Sequence, residues 1–364
     1  AILYFLENNS LPKMSKLYWK ITFLIIICSG LSTVFSINFI NSVDYFYQII
    51  FLFIVFIPFF KVAVEDFEKL NIFLFSLYFS SIFIALNSLL ILFTKDSIYF
   101  SNGVRFIGLF DKPNMFAWTC ILVLPYLLYL PKLFFKKNKL LENIFMVLPL
   151  MGIILVINAT QSRTAFLCVL LTVGFLIYEN RFYFFNLFKN KNSLKIKKKI
   201  IFIFILLILI SMISVQPEFL DTLNRFTKIS SSGRIDDLVS VIENIDMHKF
   251  LFGIGLGNSE YLSDRSIGIH NYFLSIIVEG GFITFLAMII LFIQYFNFSI
   301  KNLYCNDGNL KIINNLSFLS LLIFNIVLFF NIPSNYRMFW LPFAFLELIK
   351  NPNNGNFLSE KKNA

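Results

Sequence analysis

The chain reads as all-α: a polytopic transmembrane helix bundle of about ten spans, with one large loop on the outer side that contains an amphipathic helix. Three observations predict this. Of its 364 residues, 58% are hydrophobic and 14% charged, where an ordinary soluble domain carries roughly 25% charge. Such a composition leaves too little polar surface to cover a soluble protein. The apolar residues also fall into runs long enough to cross a bilayer, which takes about 20 residues. Finally, the charges between the runs alternate in the way that sets membrane orientation.

The runs fall at Trp19–Ser36, Tyr45–Phe60, Leu70–Thr94, Met115–Leu130, Asn143–Ala159, Thr164–Tyr178, Ile200–Val215, Tyr272–Phe296, Leu316–Ile332 and Met338–Ile349. The last is short. Only Thr160-Gln161-Ser162-Arg163 separates the fifth from the sixth, which predicts a tight helical hairpin. We read residues 1–364 as a single integral membrane domain, with 216–271 as the large loop between spans seven and eight and 350–364 as a cytoplasmic tail. The chain opens on Ala1, not Met, so residues are expected ahead of it. Cys28, Cys120 and Cys168 lie inside apolar runs, so the cysteines form no disulfide framework.

The formal charge of +10 resolves by side. With ten spans, the segments at residues 132–142 and 179–199 share a side with the N-terminal segment, the loops near 65 and 305 and the tail. Together they hold 21 Lys/Arg against nine Asp/Glu, a net of +12. By the positive-inside rule that side is cytoplasmic, as are both termini. The other side, with Glu279 counted there, holds 10 against 12, a net of −2. The basic excess is thus a topology signal and gives no support for nucleic-acid binding. Six of the seven Arg (Arg105, Arg163, Arg225, Arg234, Arg265 and Arg337) fall on the outer side, and only Arg181 is inside. Lys suffices for topology, whereas Arg suits planar, two-point contact with phosphate. Anchoring at the interface is the alternative role for each of them.

Within the 216–271 loop, Ile235, Leu238, Val239, Ile242 and Ile245 share one helical face, preceded by Ser231-Ser232-Gly233-Arg234. This predicts an amphipathic helix over 233–246 with Arg234 at its N-terminus, where an anion is favoured. Gly253-Ile254-Gly255-Leu256-Gly257 lacks the strand and helix of a dinucleotide site and reads as a compact turn. Of the two His, His248 reads as a surface residue. His270 lies at the outer mouth of span eight and is the base of suitable pKa there. Glu279, further along that span, reads as the one acid well inside a span, with Glu347 near an inner end. Two His without an acidic cluster supply no metal ligand set, and no Walker loop occurs, so no cofactor is expected.

Five features occur in order on the outer side. They are Arg105-Phe-Ile-Gly-Leu-Phe110 with Pro113-Asn114, Gln161-Ser162-Arg163-Thr164, Gly233-Arg234, Gly253-x-Gly255-x-Gly257, and His270-Asn271 with Glu279-Gly280-Gly281. In these the chain resembles the bacterial O-antigen ligase and O-antigen polymerase family over roughly residues 100–300. The resemblance implies a helical membrane bundle with a large periplasmic loop. It also implies a GT-C-type glycosyltransferase in the inner membrane that takes an undecaprenyl-pyrophosphate-linked glycan as donor, without metal or nucleotide sugar. On this reading Arg163, Arg234 and Arg105 neutralise the leaving pyrophosphate, His270 is the base, and Glu279 orients His270 or one of the Arg.

The acceptor is a second lipid-linked repeat in a polymerase, or lipid A-core in a ligase. The motif run and the loop's net charge of −3 (five basic, eight acidic) favour a polymerase, because an acidic loop offers little to anionic lipid A-core. A protein O-glycan transferase is a third variant. A transporter or flippase of lipid-linked oligosaccharide is the reading from another class, and it fits less well because the spans are nearly free of charge.

Overall fold

The computed structural model describes residues 14–64, 67–94, 99–101, 105–108, 112–179, 243, 245–262, 271–303, 308–330 and 340–349. Ten α-helical elements occur among them: α1 Lys16–Val34, α2 Phe39–Ala63, α3 Phe67–Thr94, α4 Pro113–Phe134, α5 Lys139–Thr160, α6 Arg163–Glu179, α7 Met247–Phe252, α8 Tyr272–Asn302, α9 Gly308–Phe330 and α10 Leu341–Ile349. A two-residue hairpin pairs β1 Phe100–Ser101 with β2 Arg105–Phe106, Phe100 facing Phe106. Apart from this hairpin and short turns, the regular elements among the described residues are helical.

Seven helical stretches among the described residues are long and apolar enough to cross a membrane. They correspond to seven of the ten expected spans. α6 has 17 described residues and α10 nine. The expected span at 200–215 lies outside the described residues. So do Arg181, Arg225, Arg265, Arg337 and the tail at 350–364. Most of the expected helix at 233–246 is also outside them. Its last residue, Asp246, is the N-cap of α7, accepting from the Lys249 N–H at 2.8 Å. That bond, and the Lys249 ammonium at 3.1 Å, hold the Asp246 carboxyl below its ordinary pKa.

The described residues fall into two compact units. One comprises residues up to Phe73 and from Ser230 onward, and the other runs from Leu74 to Ile229. In the first, α8 packs against α1, α7 and α9, and α10 packs on α9 and on the last part of α2. Aromatic rings fill its centre. Phe324 and Trp340 meet edge to face at 5.2 Å, and Phe343 lies within 6 Å of Phe292, Tyr295 and Trp340. α2 is not regular. Its middle, Phe51–Phe56, winds as a π-helix, and the Tyr18 hydroxyl of α1 donates to the Phe53 carbonyl at 2.6 Å. Residual backbone polarity in an apolar interior must find a partner, and this bond supplies one.

In the second unit α4 is enclosed nearly all round, with every residue from Cys120 to Pro131 buried. A helix apolar on all faces belongs in the middle of its layer. It packs on α5 and α6. The expected hairpin is present: α5 ends at Thr160 and α6 begins at Arg163. Gln161 adopts the left-handed conformation (φ 50°), and its N–H returns to the Asn158 carbonyl at 2.9 Å.

Glu347 lies near the end of α10, as expected. It is fully enclosed in α10 and accepts the Tyr295 hydroxyl of α8 at 2.8 Å. A buried acid needs such a donor, and the pair ties α10 to α8. Tyr295→Phe should cost about 1.5–3 kcal/mol, the range for a hydrogen bond to an ionisable partner. Thermal unfolding of the purified protein in detergent checks this, and an unchanged midpoint would remove the tie.

Candidate functional site

In the first unit the site is built around a break. α8 is helical on both sides of Gly281, but Gly281 itself sits at φ 83°, ψ 163°. Helical hydrogen bonds cannot pass through such a residue, so carbonyls just before it lose their intrahelical partners. The glycine-rich segment after α7 takes them up. The Ile254 N–H donates to the Val278 carbonyl at 2.9 Å, and the Gly255 N–H to the Glu279 carbonyl at 3.1 Å. Ser32 of α1 also donates to the Glu279 carbonyl and accepts from the Gly255 N–H. Ile254 and Val278, both buried, pack together with Leu274 and Ile245 alongside.

Glycine is required here by both conformation and space. Gly253 has φ 81°, and a Cβ on it would overlap the Glu279 carbonyl. A Cβ on Gly281 would overlap the Leu251 carbonyl. The two backbones meet where neither tolerates a side chain. The expected compact turn is therefore present, and it is also the strand-like partner of a broken helix.

The Glu279 side chain completes the arrangement. Its carboxylate accepts from the Gly257 N–H at 2.9 Å and the Ser259 N–H at 3.3 Å, with the Ser259 and Ser275 hydroxyls also bonded to it. Four donors on one carboxylate fix both oxygens. Asn271, next to His270 in sequence, is the N-cap of α8 and accepts from the Leu274 N–H at 3.0 Å. His270 and Arg234 lie outside the described residues. His248 is exposed, as expected, with its ring 5.1 Å from that of Phe252.

A further polar set holds the glycine segment from the α1–α2 turn. The Asn258 amide nitrogen donates to the Ser36 and Ser42 hydroxyls at 2.7 and 2.9 Å, and its oxygen accepts from Asn41 at 3.0 Å. Asn41 also donates to the Gly257 carbonyl at 2.8 Å, and Ser42 to the Leu256 carbonyl at 3.0 Å. The motifs did not point to these residues. Their signal was nevertheless present: Ser32, Ser36, Asn38, Asn41 and Ser42 are closely spaced polar residues at the end of the first apolar run and in the link to the next.

In the second unit two expected residues come to one end. Arg105, on the β-hairpin, donates through Nε to the Thr160 carbonyl at 3.1 Å and through Nη2 to Asn114 Oδ1 at 3.2 Å. Its cation thus sits on the C-terminal carbonyls of α5, where the helix dipole favours it. Three residues past Thr160, Arg163 opens α6, half-buried beside the buried Gln161 and Ser162. Phe106 packs under the hairpin against Phe100 and Phe116. Among the described residues no group of His, Cys, Asp and Glu could hold a metal ion.

The fold and the apolar helices define an integral, multi-span membrane protein. Residues 146–289 match the family model described as O-antigen ligase, and the match supports the chain's place in the O-antigen ligase and polymerase family. That stretch takes in Arg163, Arg234, the glycine segment, His270 and Glu279, while Arg105 precedes it. No curated protein and no solved structure matches the chain.

Gly253→Ala should destabilise the fold. The left-handed conformation alone costs about 1–2 kcal/mol for a residue with a Cβ, and the overlap adds to it. A loss of monodisperse protein on size exclusion in detergent checks this. Arg105→Lys keeps the charge but cannot span Thr160 and Asn114 together. It should lower the thermal midpoint, by about 1–2 kcal/mol of stability, as for a lost charged hydrogen bond.

Proposed function

We propose that the protein polymerises undecaprenyl-pyrophosphate-linked O-antigen or capsule repeat units at the periplasmic face of the bacterial inner membrane, by glycosyl transfer without a metal. The observation that carries this reading is the O-antigen ligase match over 146–289, which contains four of the five expected site residues. Both termini are placed in the cytoplasm, as the charge bias indicates.

The chemistry follows from the residue types. The acceptor hydroxyl oxygen attacks the anomeric carbon of the donor glycan and forms the new glycosidic bond. The bond from that carbon to the pyrophosphate oxygen breaks, and undecaprenyl pyrophosphate leaves. The hydroxyl proton passes to His270, a step that contributes about 10²–10⁴-fold in rate. Arg163, Arg234 and Arg105 bind the leaving pyrophosphate, where charge stabilisation next to a low-dielectric medium is strong. Arg163 stands at a helix start, which adds to its pull on an anion. Glu279 holds the glycine segment, and its four donors favour that role over proton transfer.

Level within the membrane supports surface chemistry. The part of α8 beyond the break, residues 282–302, measures about 31 Å at 1.5 Å per residue, enough for the hydrocarbon core by itself. Glu279 and the residues before it then belong to the headgroup zone. α1 gives the same level independently, since it ends two residues after Ser32, which bonds to Glu279. A broken helix is also found in transporters. Here the Val278 and Glu279 carbonyls are taken by protein N–H groups, which leaves them unsuited to a passing ion.

A second reading, the ligase, has one specific observation in its favour: the description of the matched model. Deleting the gene in its native strain separates the two. A lipid A-core bearing one repeat marks a lost polymerase. Unmodified core with long lipid-linked chains marks a lost ligase. His270→Ala and Arg163→Ala should each abolish the polysaccharide ladder on a gel while the protein still reaches the membrane. A wild-type ladder in both variants would end the catalytic assignment, and loss of turnover on chelation would contradict the metal-free step.

A further inference from the structure

The break at Gly281 divides α8 into a short leading piece, 272–280, and a long trailing piece. Across the break the Thr284 hydroxyl of the trailing piece donates to the Gly280 carbonyl at 2.6 Å. The leading piece is the one that follows His270 directly in the chain. It is also held from outside α8 by the glycine segment, through the Val278 and Glu279 carbonyls and the Glu279 carboxylate, and by Ser32, through the Glu279 carbonyl.

The glycine segment is held in turn from behind. Asn258, fully buried, is its anchor. The proton directions can be assigned. Ser42 donates to the Leu256 carbonyl, so at the 2.6 Å contact between the two hydroxyls Ser36 is the donor and Ser42 the acceptor. Both hydroxyl oxygens then accept from the Asn258 amide nitrogen, which also donates to the Asn38 and Ile254 carbonyls at 3.4 Å. The Asn258 oxygen accepts from Asn41, and Ile37 N–H donates to the Ile254 carbonyl at 3.0 Å. A buried network with its donors and acceptors matched is rigid and specifies one geometry. It runs without a gap from the α1–α2 turn to the piece of α8 adjoining His270.

We propose that Ser32 and Asn258 are positioning residues for the transfer reaction: they fix the direction in which the leading piece of α8 presents His270, through Glu279 and the glycine segment. This rests on His270 acting as the base in the reading above. Neither residue touches substrate in this proposal, so each acts on the rate of the chemical step and not on donor binding. A loosened support that misplaces the base by about 1 Å costs up to about 10²-fold in rate.

The test uses the full chain in proteoliposomes with a lipid-linked repeat unit as donor, in the variants Ser32→Ala, Ser32→Thr, Asn258→Asp and His270→Ala. We expect kcat to fall about 10- to 100-fold in Ser32→Ala and Asn258→Asp, with KM for the donor within about threefold of wild type. Ser32→Thr, which keeps the hydroxyl, should recover most of the loss. Amide hydrogen exchange on the same samples should quicken at 254–259 and 272–280 and stay unchanged at 285–302. Wild-type kcat in both variants, or a loss that spreads exchange over the whole of α8 and is not recovered by Ser32→Thr, overturns the positioning role. Full activity in His270→Ala overturns the reading beneath it instead, and the exchange pattern still decides whether Ser32 and Asn258 hold the leading piece.

Discussion

The first unit is organised by the need to satisfy backbone polar groups where water is scarce. A helix that crosses a membrane meets this need by itself, residue by residue. α8 gives that up at Gly281, and the carbonyls of Val278 and Glu279 need donors from elsewhere. Irregular backbone at such a level is tolerated only where protein encloses it. The glycine segment is that enclosure. Its own irregular backbone then needs partners, which the α1–α2 turn supplies through Ser32, Ser36, Asn41 and Ser42. One broken helix thus dictates the composition of two distant stretches of chain.

The second unit solves a smaller version of the same problem. Two helix ends lie at the α5–α6 turn, and the last carbonyls of α5 have no intrahelical donor. Arg105 covers one of them with charge as well as a hydrogen bond, and Gln161 turns the chain in a left-handed step so that α6 can begin at once. The guanidinium that serves catalysis in our proposal is therefore first a structural cap. Its position is set by backbone, which makes it a rigid group for a ligand to meet.

Much of this was legible in the residues, and the reason differs from place to place. Seven of the apolar runs reappear among the described residues as helices long and apolar enough to cross, because length and hydropathy are local properties of a segment. The hairpin at 160–163 was legible because four residues leave no room for anything else. The glycine run was read as a turn, which it is, but its partner was not visible. Nothing local in Glu279-Gly280-Gly281 distinguishes a helix-breaking glycine from one tolerated within a helix. Ser32 and Asn258 were missed for a related reason. Each is ordinary in its own neighbourhood, and only a contact between residues more than 200 apart in sequence gives it a role. Glu347 stands near the end of α10, as expected, but its bond to Tyr295 was not legible, since distance from a span's end says nothing about what packs over it.

Charge and depth together explain why the polar residues collect where they do. A carboxylate deep in hydrocarbon would be costly, and a pyrophosphate cannot enter it. Both become affordable at the level where α1 ends and the long piece of α8 begins, about one hydrocarbon thickness from the Lys-bearing ends of those helices. Ionised groups there gain from the low dielectric on one side while water still reaches the other. A break in α8 at that level lets the chain leave the helical repeat and bind its own loop. Moving the break one turn deeper would bury Glu279 and its donors in the apolar layer. One turn shallower would detach the glycine segment from Ser32. The position of Gly281 along α8 is therefore fixed by the end of α1.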